Sequence, residues 1–549
     1  MSVMKNSINI FLVLALFVFV GCSSFLEEDL VTGVSADSHY TNAKGFNDAV
    51  NATYEPLRSF YAGGPYNPED MAMAVTVFGT DIFTNGSDGD HKGVNQYDPR
   101  LNPDEDGLRY IWENMYQAIN QANAVVTRAD GVPDLSEDVK TTRIAEARFL
   151  RAIYYFNLVR LFGDVTLTLE ETEGVETEAE RTSRSEIYGT AIIPDLEFAI
   201  DNLPDNQDDY GRATKPAAQQ LLAKVLLRRG YTDFAENDDF SNAATLAESV
   251  INDYNFRLLD NWSDVFDIGN QKHPEVVWSI QYTKDLLIND HGNTAHLWFL
   301  MEYDVLPGMQ RDVENGRPFK RYKPTNYLLG LWDKDLDVRY RDGFKHVFYA
   351  NNAASIPTEG NGNPKFSVGD TAIYLPGQEV SQSFRDSKPY MIIAPSDYTQ
   401  KLYPTLNKFL DPTRSDANAV EGQRDFMVMR LAGTHLIAAE AYYNMNNSAK
   451  AAEHLNTIRK RAAMPGQESA MEILAGDVNL DFILDEHARE LAGEMQRWFA
   501  LTRTRTLVER VREYNPDGAS NIEEYHRFRP IPQQQIDRTQ GDYSQNEGY

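Results

Sequence analysis

Along most of this chain apolar positions recur every three to four residues, the period of helices. From Lys44 to Tyr61, Phe46, Val50, Tyr54 and Leu57 fall on one face, which predicts an amphipathic helix. Gly107 to Arg128 repeats the pattern through Leu108, Ile111, Met115, Ile119, Ala122 and Val126. From Thr141 to Asp164 the apolar positions spread to nearly all sides, among them Ile144, Leu150, Ile153, Leu158 and Leu161. A helix apolar all round is one that its neighbours bury, and Gly163 is placed to stop it. Further helices are expected over Ser185 to Leu203 with Ser185 as the cap, from Thr214 with Pro216 in its first turn to Gly230, and from Ser241 onward.

These helices come in consecutive pairs with short links, and Ala218, Ala223, Ala244 and Ala247 permit close packing. They are similar to tetratricopeptide hairpins, without the strict repeat. From Asp260 to about Gln423 the texture changes. Pro, Gly, Asn and aromatics rise, and short alternating runs such as "EVVWSIQY" read as strands. Helices return over Phe426 to Met445 and Ser448 to Ala463, and Asn479 to Tyr514 forms one long or broken helix. The Pro- and Gln-rich tail is expected to wrap the surface. The fold class is therefore mainly α: tetratricopeptide-like helical hairpins form a scaffold, with an irregular loop-rich insert that contains short strands.

The amino terminus carries a different pattern. Lys5 precedes an almost wholly apolar run from Ile8 to Val20, too short to span a bilayer comfortably as a helix, which takes roughly 20 residues. A basic start and a short apolar core read as a secretory signal. Phe19-Val20-Gly21-Cys22 resembles the bacterial lipobox, and Cys22 is the chain's one cysteine. That implies residues 1–21 as a lipoprotein signal peptide and residues 22–40 as a lipidated terminus and tether. The body then divides into a helical region over 41–259, the insert over 260–423, and helices with the tail over 424–549, all in one compact unit. The expected location is the outer membrane of a Gram-negative bacterium, lipid-anchored through Cys22 and exposed at the cell surface.

A formal charge of -30 argues against nucleic acid as a partner, and against docking on anionic lipid by charge. It fits a dispersed body that binds neutral ligands, although a local arginine cluster could override the overall sign. One cysteine excludes an internal disulfide and a CxxC metal site. "DEHARE" lacks the second histidine of a zinc motif, and no GxSxG elbow, P-loop or Rossmann fingerprint occurs. "NGSDGDHKG" could offer Asp88 and Asp90 to calcium, but lacks EF-hand spacing. No cofactor, metal site or catalysis is expected.

Six stretches stand in order behind the lipobox: "EARFLRAIYYFNLVRLFGDV" (Glu146 to Val165), "GRATKPAAQQLLAKVLLRRG" (Gly211 to Gly230), "RLAGTHLIAAEAYY" (Arg430 to Tyr443), "AAEHLNTIRKRA" (Ala451 to Ala462), "DEHARELAGEMQRWFALTRT" (Asp485 to Thr504) and the ending "RPIPQQQI…SQNEGY" (Arg529 to Tyr549). Together they resemble the SusD/RagB family of nutrient-binding surface lipoproteins. His487, Ala500 and the Glu547 of the last motif depart from the family's usual residues. The charged residues of these stretches read as scaffold. Glu486, Arg489, Glu490 and Arg497 are spaced for ion pairs along one helix.

The resemblance implies capture of an oligosaccharide for a SusC-type TonB-dependent transporter. Peptide cargo, or less readily a surface hydrolase, are the alternatives. It also implies that ligands bind on the face built by the early loop and the insert. A sugar site wants aromatic platforms beside hydrogen-bonding side chains. Two stretches offer them: the Gly79 to Gly107 loop with Asp81, Asn85, Asn95 and Tyr97, and His291 to Tyr322 with Trp298, Tyr303 and Arg311. Trp112, Trp332 and Trp498 sit in helical contexts and are assigned to the core.

Overall fold

The computed structural model describes Tyr40 and residues 42–289 and 291–549. The signal segment, Cys22 and the tether up to residue 39 lie outside the described residues. Helix α1 (Ala43–Ala52) starts at Asn42, whose side chain accepts the Gly45 N–H. A separate short helix, Pro56–Phe60, follows. The one helix expected over Lys44 to Tyr61 is thus two, because Pro56 cannot continue a preceding turn. Then come α2 (Asp106–Arg128) and α3 (Glu137–Phe162). Ser136 caps α3 by accepting the Val139 N–H, and Gly163 at φ +80 ends it. From Ala145 to Phe162 almost every side chain of α3 is buried, as its all-round apolar pattern requires.

The next helix is capped by Ser183, which accepts the Glu186 N–H, and not by Ser185. It widens into a π-turn at Tyr188–Ile192 before α4 (Ile193–Asn202). Helix α5 (Lys215–Arg229) has Pro216 in its first turn and Arg228 and Arg229 in its last. Helix α6 (Asp239–Asn252) begins two residues ahead of Ser241. Helix α2 packs on α3, α3 on α4, α4 on α5 and α5 on α6. The series then jumps the insert: α6 packs on α7 (Leu431–Asn444), and α7 on α8 (Ser448–Arg461).

Among the described residues there are nine short strands: β1 (Phe83–Asn85), β2 (Val276–Ile280), β3 (Tyr322–Pro324), β4 (Phe344–Lys345), β5 (Val347–Tyr349), β6 (Thr371–Tyr374), β7 (Met391–Ile392), β8 (Thr405–Leu406) and β9 (Phe426–Arg430). Antiparallel β2 and β9 form the neck of the insert, with Val276 opposite Arg430 and Ile280 opposite Phe426. The helix expected from Phe426 therefore starts only at Leu431. The preceding "FMVMR" has a strand partner, and pairing overrides helical propensity. Beyond the neck, β4 pairs with β8, and β5, β6 and β7 form a small sheet. This part has its own core, in which Met301, Tyr303, Phe348, Ile373, Ile393 and Tyr403 are buried.

The stretch Asn479 to Tyr514 is three helices: α9 (Leu480–Leu491), α10 (Arg497–Thr504) and α11 (Leu507–Tyr514). Gly493, Met495 and Arg505 at positive φ make the breaks. Trp112, Trp332 and Trp498 are buried. The tail returns to α3, where Arg529 donates its N–H to the Leu161 carbonyl at 2.7 Å. The Asn546 amide donates to Phe162 O at 2.9 Å.

A buried ion network fastens the neck to the C-terminal helices. Arg339, without exposed surface, reaches Asp337 at 2.7 Å, Glu486 at 2.7 Å and Glu490 at 2.9 Å. Arg430 reaches Glu275 at 3.1 Å, Glu490 at 2.7 Å and Glu494 at 2.8 Å. Arg461 joins Glu275 at 2.8 Å and Glu490 at 2.6 Å, and Arg459 joins Glu486 at 2.8 Å. The helix-face pairs expected from spacing are therefore largely replaced by long-range ones; only Glu486–Arg489, at 2.9 Å, runs along α9. Burial would raise the Glu486 carboxyl, but Arg339, Arg489 and Arg459 hold it down at about 2.

Candidate functional site

The two stretches singled out by sequence meet in the structure. β1 of the early loop pairs antiparallel with β3 of the insert, Phe83 opposite Pro324 and Asn85 opposite Tyr322. Past β1 the contact continues through backbone alone: Gly86 donates to Arg321 O at 2.8 Å and Ser87 to Gln400 O at 2.9 Å. A side chain at residue 86 would meet the Lys320 carbonyl at 1.9 Å, so the close approach requires glycine.

The residues chosen in these stretches lie mostly beneath the surface. Asp81 has no exposed surface, and its carboxylate accepts from Arg497 Nε at 2.7 Å and Arg510 Nε at 2.8 Å. Burial would raise this carboxyl, but Arg497 and Arg510 hold it below its ordinary value. Asn95, also fully buried, accepts from Gly79 N–H at 3.0 Å and from Asn515 Nδ2 at 2.8 Å, and donates to Asn85 Oδ1 at 3.2 Å. Tyr97 is buried against His526 and donates to the Gly79 carbonyl. Trp298 is enclosed with its ring edge-on to Tyr322. Tyr303 stacks on Phe348 and donates to Gly316 O at 2.6 Å. These side chains are struts holding the loops, and none of the buried ones presents an open platform at the surface. Arg311 alone of the seven keeps substantial exposure, 34% of its side chain.

What the struts hold up is a different set. Asp70 is buried between His91 Nε2 at 2.7 Å and the guanidinium of Arg321, whose Nη2 donates to Pro65 O at 2.8 Å. Burial works against charge on His91, yet its bonds to Asp70 and Glu105 raise it to about 9. These bonds pin the turn Gly63-Gly64-Pro65 and present Tyr66, 54% exposed, at the surface. The Tyr66 ring lies 6.0 Å from that of Phe319, tilted by 32°. Arg317 sits 5.2 Å from the centre of the Phe319 ring. It donates to Asn418 O at 2.6 Å, while Arg311 donates to Asn418 Oδ1 at 3.0 Å and to Asp304 at 3.0 Å. On the same turn, Glu69 meets His291 at 3.3 Å. An exposed aromatic, linked through Phe319 to guanidinium and amide groups, offers the kinds of stacking surface and hydrogen-bonding group that a sugar ring uses.

Tyr66 lies outside the Gly79 to Gly107 loop on which the sequence reading centres. The signal was there one segment earlier, in "GGPYNP": turn formers on both sides of an aromatic leave that ring outside any packed element. Among the described residues no group of three or more His, Cys, Asp or Glu side chains is arranged to hold a metal, and no helix is long and apolar enough to cross a membrane.

The model for the SusD family matches residues 274–549, more than half of the chain. The chain belongs to the SusD family. A second model, described as starch-binding associating with outer membrane, matches residues 46–227. SusD-like protein P25 of Formosa agariphila is 25% identical, with 98% of this chain and 97% of that protein aligned. The starch-binding protein SusD of Bacteroides thetaiotaomicron is 24% identical over 81% of this chain and 79% of its own. A solved laminarin-binding SusD-like protein superposes with a TM-score of 0.70 at 25% identity, covering 93% of this chain and all of that one. A surface glycan-binding protein A from Bacteroides thetaiotaomicron, solved with laminarihexaose, gives 0.70 at 19% identity over 92% of this chain, a likeness of fold. The mainly helical, tetratricopeptide-like architecture is that of the SusD family.

Proposed function

We propose that the chain is a non-catalytic surface receptor that captures a neutral oligosaccharide and hands it to a SusC-type TonB-dependent transporter. The observation that carries this reading is the exposed Tyr66 ring, which lies against Phe319 of the insert, a ring that Arg317 also approaches while it and Arg311 donate to Asn418. Family membership supports the class of ligand, since the relatives above include starch- and laminarin-binding proteins. A reversible receptor needs affinity without bond cleavage, and a stacking ring with fixed donors supplies that.

Calorimetry against maltooligosaccharides, laminarin oligosaccharides and peptides tests the reading. A glycan should bind, and Tyr66→Ala should weaken it at least about tenfold, the order of one lost stacking contact with its hydrogen bond. The melting temperature should stay unchanged, because Tyr66 is mostly exposed. Equal affinity in the variant would remove Tyr66 from the site, and release of sugar products would overturn the non-catalytic assignment.

Anchoring through Cys22 belongs to the same proposal. Each buried methylene contributes about 0.8 kcal/mol, so two or more acyl chains hold a protein stably on a bilayer. Cys22→Ala should move the protein from the membrane fraction to the soluble one in a fractionation blot, with glycan affinity of the purified protein unchanged. Retention in the membrane would contradict the anchor.

A further inference from the structure

A cavity of about 270 Å³ opens where α3, α5, α10 and the tail converge, well apart in sequence from Tyr66. Five arginines line it, Arg184, Arg228, Arg503, Arg505 and Arg527, against one carboxylate, Asp233. In a chain of formal charge -30 this is a local inversion of sign. Arg503 is matched by Glu440 at 2.7 Å. Arg184 and Arg527 reach Asp164 and Glu524 only at 3.3 Å.

Arg228 and Arg505 have no carboxylate in ion-pair range among the described residues. Arg228 Nη1 donates 3.3 Å bonds to Phe499 O and Thr502 Oγ1, and Arg505 Nη2 donates to Tyr231 O at 3.1 Å. Next to the lining residue Val159, Arg160 is buried with no carboxylate in range, and its Nη1 has no hydrogen-bond partner. The rings of Phe156 and Phe499 lie 4.1 and 3.6 Å from its guanidinium carbon. Burial, with Arg503 adding to it, lowers Arg228 to about 10; burial, with Arg228 and Arg503 adding to it, lowers Arg160 to about 9. Arg228, half-buried, and the exposed Arg505 line this cavity without a carboxylate partner, and an anion held between them would supply the missing counter-charge. Their planar forks match sulfate, phosphate and carboxylate oxygens. Tyr188, Phe234 and Phe528 add aromatic walls, with Arg184 4.9 Å from the Phe528 ring centre.

We infer that this arginine-lined cavity binds a small oxyanion, a sulfate, phosphate or carboxylate group, either free or carried on a sugar, at a site separate from the Tyr66 face. The test is calorimetry on the purified mature protein at constant ionic strength, titrating sodium sulfate, sodium phosphate, glucuronate and, as the neutral control, glucose. At least one anion should give saturable binding and glucose none at this site. Arg228→Gln and the exposed Arg505→Ala should each weaken the anion at least about tenfold, the size of one charge-assisted bond. Tyr66→Ala should leave it unchanged, so failure here is distinguishable from failure of the glycan reading. Tighter glucuronate than free anions would place the group on a sugar, and the reverse would make it a free ion. No saturable heat from any of the three anions, or equal binding in both arginine variants, would overturn the inference.

Discussion

Glu490→Ala should destabilise the protein by about 3–5 kcal/mol, the range for removing one partner of a buried ion group. Glu490 has no exposed surface and accepts from Arg339, Arg430 and Arg461. Its loss leaves three guanidiniums with part of their charge unmatched, and they cannot reach water without opening the neck. Urea unfolding should show a lower midpoint with little change in slope. A loss under about 1 kcal/mol would mean that solvent enters the network.

The network also sets a pH dependence. Glu486 and Glu490 both titrate below the ordinary glutamate range in the folded protein, where burial is outweighed by Arg339, Arg489 and Arg459 at the first and by Arg461, Arg430 and Arg339 at the second. A depressed folded value means the contribution is fully present above the unfolded value of about 4.3. It is lost as pH falls from there toward 2. Wild-type stability should therefore fall steeply over that window, and Glu486→Gln should flatten the slope.

Asp81→Ala should be comparably severe, about 3–5 kcal/mol by the same argument. Arg497 on α10 and Arg510 on α11 both end on this one carboxylate. Its backbone oxygen also accepts from Thr325 Oγ1 at 2.6 Å, just beyond β3. Asp81 thus ties together the early loop, the insert and the C-terminal helices. The distinguishing result is that whatever protein stays folded should bind glycan as wild type does. A selective loss of affinity at full stability would return Asp81 to the ligand site.

The scaffold was readable because its helices bury wide apolar faces, and burial writes a period into sequence. The all-round pattern of α3 is the clearest case. The helix predicted from Phe426 failed for a reason no local pattern contains: its strand partner is Val276–Ile280, far away in the chain. The junction of the early loop and the insert shows the same divide. Family resemblance places the early loop and the insert together, and β1 and β3 join them. Which polar residues point outward was not legible. Asp81, Asn95 and Tyr97 look like ligand groups in a Gly- and Asn-rich loop, yet their partners are Arg497, Asn515 and His526, all near the other end of the chain.

The neck has a consequence for how such a protein can change. The excursion leaves the helical series after α6 and rejoins it at α7, closed by β2, β9 and the Arg430–Glu275 pair across 155 positions of sequence. Closure entropy grows only logarithmically, so doubling the length of such a loop costs about 0.6 kcal/mol. Extra or missing turns beyond the neck are thus thermodynamically cheap, while a single charge lost at the neck is not. The molecule separates a part whose length can vary at little thermodynamic cost from a clasp whose charges it needs to stay closed.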